Sequence, residues 1–133
     1  KIKSKKIEFT LDKPARELPH VRADGSKIEN VLQNLLDNAL KYTPESGSVH
    51  VALKSNGKDV EFSIKDSGMG IPQGQQGQIF SRFFRARNAV RFEKTGSGLG
   101  LFISKKIIED HNGKMWFESK EGEGSTFYFT LPI

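Results

Sequence analysis

The sequence predicts an α+β fold: a two-layer α/β sandwich with a mixed, mostly antiparallel sheet of about five strands, covered on one face by about three helices. Three observations carry this reading. Ser48 to Ser55 and Asp59 to Lys65 both alternate apolar and polar residues, and Asn56-Gly57 between them is a hairpin turn signal. Ile28, Val31, Leu32, Leu35, Leu36, Ala39 and Leu40 recur at helical spacing. Strand patterns come grouped, with few helices between them, which favours helices packed on one face of a largely antiparallel sheet. A ligand would then lie between sheet and helices.

In chain order, Lys6 to Leu11 reads as a short strand, with Ile7 and Phe9 on one face. Asp12 to Pro19 is a loop with two prolines, and His20 to Ala23 a second short strand. Ser26-Lys27-Ile28-Glu29 fits a capping box, so the first helix is expected to start with Ser26 as N-cap. Pro44 disfavours a helical Thr43 and ends that helix. Its polar side carries Asn34, Asn38 and Lys41, with Tyr42 four residues after Asn38. Asparagine is a mediocre helix former. From the helix alone, ligands for a hard cation and asparagines capping a nearby loop weigh about evenly.

Val49, Val51 and Leu53 share one face of the first hairpin strand, and Val60, Phe62 and Ile64 one face of the second. Asp66 continues the latter phase, so its carboxylate starts on the buried side, where it needs donors. A ligand amino group is one candidate, and an ordinary turn aspartate the other. Gln73 to Ile79 suggests a short helix weakened by Gly74 and Gly77. Phe80, Phe83 and Phe84 have helix-like spacing, and Arg87 to Thr95 has no regular periodicity and reads as a mobile loop. A second helix spans Gly98 to Asp110, its apolar side drawn from Leu99, Leu101, Phe102, Ile103, Ile107 and Ile108, with Asn112-Gly113 at its end. Lys114 to Ser119 and Ser125 to Leu131 are the last strands. Ser125 shares a face with Phe127, Phe129 and Leu131, so it would sit near Asp66 if the two strands are neighbours.

At 133 residues the chain is long enough for one domain with a real core. It has no cysteine, which excludes disulfides and thiolate metal sites. No apolar run is long enough to span a membrane. The net charge of +5 is unevenly placed. Arg82, Arg85, Arg87, Arg91 and Lys94 face one acid, Glu93, in the loop between Asp66-Ser67-Gly68-Met69-Gly70 and Gly96-Ser97-Gly98-Leu99-Gly100-Leu101. Two glycine clusters around a basic loop suit a phosphate-bearing ligand, because glycine permits close backbone approach and a helix start offers free N–H groups. The spacing is not the Rossmann fingerprint, and no P-loop or protein-kinase motif set is present. The three histidines lack metal-ligand spacing and read as packing or surface residues.

Order and combination make these motifs specific. Asn34-Leu35-Leu36-Asp37-Asn38-Ala39-Leu40-Lys41-Tyr42-Thr43-Pro44 resembles an N box, and Asp66 to Gly70 a G1 box. Ile79-Phe80-Ser81-Arg82-Phe83-Phe84-Arg85 resembles an F box, Thr95 to Leu101 a G2 box, and Gly124 to Pro132 a closing strand. Together they resemble the catalytic, ATP-binding domain of bacterial sensor histidine kinases, in the superfamily that includes gyrase, MutL and the heat-shock chaperone ATPases. The resemblance implies a Bergerat-type fold with an ATP lid, with ATP and Mg²⁺ as cofactors. It implies that Asn38 is the metal ligand, and that Asn34, Lys41 and Tyr42 line the phosphate and ribose side. Asp66 would accept from the adenine amine, with Gly68, Gly70 and Ile71 beside the base. Thr95, Gly96, Ser97, Gly98, Leu99, Gly100 and Leu101 would cradle the phosphates. Arg85, with Arg82 and Phe80 from the same box, would serve the lid side. Ser125 or Thr126 would reach adenine through water. Asn38, Lys41 and Arg85 are the candidate catalytic residues. The glutamines at 73, 75, 76 and 78 stand where the family carries acidic residues, which puts the short helix in doubt and predicts a looser lid edge.

The implied activity is transfer of the γ-phosphoryl group of ATP to a histidine, as in two-component signalling. In gyrase- and MutL-like members a glutamate four residues before the Mg²⁺-binding asparagine activates water. Asn34 stands there, and an amide is no general base. Nothing resembles the phosphoacceptor helix, so residues 1–133 read as a catalytic domain, with 1–6 a residual linker, that needs a separate dimerisation and phosphoacceptor domain. The expected partners are that domain and a response-regulator receiver domain, with no nucleic acid and no direct membrane contact, in a cytoplasmic setting. The alternative is a non-catalytic nucleotide-binding or interaction module on the same fold.

Overall fold

The computed structural model of the protein describes residues 7–12, 21, 23–80 and 100–133. Strands β1 (Glu8–Asp12), β2 (Ser48–Ser55), β3 (Asp59–Asp66), β4 (Lys114–Lys120) and β5 (Gly124–Pro132) form one sheet in the order β1-β2-β3-β5-β4. Among the described residues only the β1–β2 pair is parallel, which makes the sheet mixed and mostly antiparallel. Helices α1 (Gly25–Tyr42) and α2 (Gly100–Asp110) supply the second layer, and a 3₁₀ helix spans Gln73–Gln78. The expected sandwich is therefore present, the third helix being 3₁₀.

Alternation in the strands decides which side is buried. On the inner face, Leu53, Phe62, Phe129 and Met115 pair across four strands, and Val51, Ile64, Phe127 and Phe117 form the next row. Phe62 stacks on Phe129 at 5.0 Å and Phe117 on Phe127 at 5.6 Å. Val31, Leu35 and Ala39 of α1 and Ile108 of α2 cover these rows. The outer face carries residues such as Trp116 and Tyr128, stacked at 5.1 Å.

Local details differ from expectation where a distant contact intervenes. The N-cap of α1 is Asp24, whose carboxylate accepts from the Lys27 N–H at 3.2 Å, so Ser26 lies inside the helix. Asp24 is itself anchored, its backbone N–H donating to His111 Nε2 at 3.0 Å, while His111 Nδ1 donates to the Ile107 carbonyl at 2.8 Å. With that anchor the cap and the helix start lie two residues earlier than the capping box predicts. Val21 and Ala23 lie in no strand, and the other residues of the expected second strand fall outside the described ones. The outer residue of α2 is Ile103, 44% exposed, while Ser104 and Ile108 are fully buried. The apolar side of that helix is thus rotated from the one expected. Asn112 takes the left-handed conformation that ends α2 (φ 64°), and Gly113 beside it leaves room for the Thr130 carbonyl, with which any Cβ would collide. In the first hairpin, Asn56 Oδ1 accepts from the N–H groups of Lys58 (2.9 Å) and Asp59 (2.8 Å) around Gly57 at φ 92°.

Candidate functional site

The inner face of the sheet changes character at one end. One step beyond the apolar rows, Val49, Asp66, Ser125 and Ser119 pair across β2, β3, β5 and β4. The in-phase aspartate and serine expected from the sequence are therefore direct cross-strand neighbours. Asp66 Oδ1 accepts from the Gly68 N–H at 2.8 Å and the Ser125 N–H at 3.3 Å. Burial nonetheless pushes the Asp66 carboxyl up to about 6, outweighing both backbone hydrogen bonds. Its second oxygen has no hydrogen-bond donor among the described residues. A half-buried, half-satisfied carboxylate at a strand end is suited to accept from a ligand.

The turn after Asp66 is wedged between backbones. A Cβ on Gly68 would stand 2.6 Å from the Tyr42 carbonyl oxygen at the end of α1. Gly70, at φ 70°, lies against the Lys120 carbonyl of the β4–β5 turn, where a side chain would collide. The Gly122 N–H donates to the Met69 carbonyl at 2.7 Å. Sequence reasoning assigned these glycines to close approach of a ligand. The protein's own backbone already requires them.

Ile71 is buried and held at both ends of its peptide unit. Its N–H donates to Ser119 Oγ at 2.8 Å, and its carbonyl accepts from Gln76 Nε2 at 3.0 Å. The same Gln76 amide donates to the Ser119 carbonyl at 3.1 Å. The glutamine-rich stretch is therefore tethered at Gln76, where looseness was expected. Ser119 was not singled out from the sequence, and Gln76 only as one of four glutamines expected to loosen the lid edge. The available signal was the phase of Met115, Phe117 and Ser119, which puts Ser119 on the inner face.

Across from the sheet, α1 presents the asparagines. Asn34 Nδ2 donates to the buried Ser104 hydroxyl of α2 at 3.1 Å, and Asn34 lies beside Gly100, the first described residue of that helix. Asn34 thus joins α1 to the start of α2. Asn38, one turn on, is partly exposed, and its side chain makes no hydrogen bond to a described residue. The Lys41 ammonium lies 5.7 Å from the Tyr42 ring centroid at the end of α1. Thr43 closes the helix by donating to the Ala39 carbonyl at 2.6 Å. Leu101 packs on the core, and Phe80 sets its ring edge-on to Phe117 and Phe127 with the Lys105 ammonium 4.7 Å from its centroid.

Of the two candidates on β5, Ser125 stands beside Asp66. Thr126 pairs with Lys65 and Glu118 on the opposite face. Arg82, Arg85, Thr95, Gly96, Ser97, Gly98 and Leu99 lie outside the described residues. Among the described residues no three His, Cys, Asp or Glu side chains cluster as a metal site.

Residues 23–133 match the family described as histidine kinase-, DNA gyrase B-, and HSP90-like ATPase. The chain is similar to the adaptive-response sensory kinase SasA of Synechocystis sp., 46% identical over all of this chain and 34% of the relative. It is also similar to the sensor histidine kinase WalK of Bacillus subtilis, 41% identical over 98% of this chain and 21% of the relative. It spans about a third of the length of the SasA relatives it matches. Among solved structures, the catalytic domain of the histidine kinase ThkA superposes with a TM-score of 0.83 at 37% identity, covering 98% of this chain and 83% of that one. The mycobacterial sensor histidine kinase MprB superposes with a TM-score of 0.84 at 32% identity, covering 98% and 87%.

Proposed function

The chain belongs to the histidine kinase-, DNA gyrase B-, and HSP90-like ATPase family as the ATP-binding domain of a sensor histidine kinase; on that premise we propose that it binds Mg-ATP and delivers the γ-phosphoryl group to a histidine on a separate dimerisation domain. The observation that supports the binding part most is Asp66, a half-buried carboxylate with one oxygen satisfied by backbone and the other left for a ligand donor.

In this reading the exocyclic amine of adenine donates to Asp66, and Ser125 completes that end of the site. The donor set suits Mg²⁺, which takes few protein ligands and shares substrate phosphates. Asn38 would hold it through the amide oxygen, where it neutralises phosphate charge. Lys41 and Tyr42 serve the phosphate and ribose side. The start of α2 and the glycines before it receive the phosphates at a helix N-terminus. Arg85 and Arg82 orient the γ-phosphoryl group.

Asn34 bears on the reaction class. Its amide N–H is committed to Ser104, and an amide does not abstract a proton from water. Imidazole needs no such activation, being a nucleophile in its neutral form. Positioning and charge then carry most of the transfer. The receiver domain of a response regulator is the expected downstream partner; ThkA has been crystallised with the response regulator TrrA.

Calorimetry with a non-hydrolysable ATP analogue tests the binding half. Wild type should bind with Mg²⁺, Asn38→Ala should bind roughly tenfold more weakly, consistent with losing one cation ligand, and the difference should vanish without Mg²⁺. Supplying a separate acceptor domain should give label transfer to its histidine. Binding without any transfer would favour a non-catalytic nucleotide-binding module.

A further inference from the structure

We propose that Ser119, through its hydroxyl contact with Ser125, is a positioning residue that makes the base end of the site accept hydrogen-bond donors. The inference rests on the nucleotide reading above and concerns how that site chooses its base.

The hydrogen bonds around Ser119 fix the direction of its proton. A serine hydroxyl has one donor hydrogen and two acceptor lone pairs. The Ile71 N–H donates to Ser119 Oγ at 2.8 Å, which uses one lone pair. Ser119 Oγ lies 3.1 Å from the Gly124 carbonyl oxygen, which can only accept, so the hydroxyl proton goes there. The remaining neighbour is Ser125 Oγ at 2.8 Å. Ser119 has only a lone pair left for it, so Ser125 donates and Ser119 accepts. All three capacities of Ser119 are then used.

The consequence appears one strand away. Ser125 has spent its proton on Ser119, so its oxygen offers only lone pairs in any other direction. Beside it, Asp66 is a carboxylate whose free oxygen is also an acceptor. Two neighbouring acceptors match an exocyclic amine, which brings two N–H donors. They repel a base carrying a carbonyl oxygen at that position, which would face lone pairs on both sides. Asp66 supplies one of the two acceptors by its charge. Ser119 supplies the other by taking up the proton of Ser125.

The test is a selectivity ratio. Calorimetric affinities for non-hydrolysable ATP and ITP analogues, which carry an amine against a carbonyl at C6 and an acceptor against an N–H at N1, are compared in wild type, Ser119→Ala and Ser119→Thr, so that the N1 difference is common to every variant. Wild type should favour the adenine analogue. In Ser119→Ala the Ser125 hydroxyl is free to turn and donate to a carbonyl, so the ratio should fall about tenfold, the scale of one satisfied against one unsatisfied buried group. Ser119→Thr keeps the hydroxyl and should restore the ratio. Gln76→Leu removes the neighbouring tether and leaves the hydroxyl chain intact, so it should weaken both analogues together at constant ratio. An unchanged ratio in Ser119→Ala, with both affinities falling in parallel, makes Ser119 a packing residue and overturns the proposal. If Ser119→Ala does not fold, Ser119→Cys, with its weak donor and acceptor, should show the same direction of change, and a wild-type ratio there overturns the proposal equally. Failure of wild type to bind either analogue would overturn the nucleotide reading as well, whereas tight ATP binding with an insensitive ratio overturns this inference alone.

Discussion

Two cross-strand rows on the inner face of the sheet lie four residues apart along every strand and carry opposite chemistry. Leu53, Phe62, Phe129 and Met115 form one; Val49, Asp66, Ser125 and Ser119 form the other. Both follow the same inward phase. The apolar row gains stability from stacked rings and helix cover. The polar row compensates for its burial with hydrogen bonds, and does so fully at Ser119 and incompletely at Asp66. One face therefore serves folding at one end and recognition at the other. Incompleteness at Asp66 costs the empty protein stability and leaves an acceptor for a ligand.

The largest effect that separates the rows is Phe62→Ala. Removing a ring stacked at 5.0 Å on Phe129 should cost about 3–5 kcal/mol in urea unfolding, as for other buried aromatic truncations. Nucleotide affinity of the fraction still folded should change little. A comparable loss of affinity would mean that the two rows are not separable.

Asp66→Asn works in the other direction. The Asp66 carboxyl is raised from 3.8 to about 6 on folding, so the folded chain holds this proton more tightly than the unfolded chain. Well below 3.8 both states are protonated and the group contributes nothing. As pH rises to about 6 the unfolded chain ionises first, so the group lowers stability, reaching a constant penalty on the order of 2–3 kcal/mol above that. Unliganded Asp66→Asn should therefore gain on wild type between pH 4 and 6 and keep a constant lead at higher pH, while losing about 100-fold in nucleotide affinity, the scale of a charged hydrogen bond. Parallel pH profiles for the two proteins would remove the argument that burial raises this group.

The smallest effect lies off the sheet. Asp24→Ala removes the cap of α1 and should cost about 1 kcal/mol, with Ser26→Ala nearly neutral. Reversal of that order in thermal unfolding would restore Ser26 as the cap.

Much of this was legible in the residues. Period-two alternation put Asp66, Ser125 and the phenylalanines on one face, and Asn56-Gly57 marked the hairpin. Helical spacing found both helices. The errors share one cause. Ser26 gave way to Asp24 because His111, 87 residues away, accepts from the Asp24 N–H. Ile103 fitted the apolar pattern of α2, yet packing buried Ser104 instead, opposite Asn34. The family resemblance left Ser125 and Thr126 both open; alternation favoured Ser125, and the pairing of β3 with β5 sets it beside Asp66.

The repeating geometry was written in the residues: which ones alternate, which recur at helical spacing, and the order of four motifs that marks the family. Those properties reside in neighbours along the chain, where backbone periodicity is enough. Which residues meet across the chain came from packing alone. The glycines at 68 and 70 answer to the carbonyls of Tyr42 and Lys120, and Asp66, Ser125 and Ser119 form a row only because β5 lies between β3 and β4. Such contacts join residues far apart in sequence, and no local period encodes them.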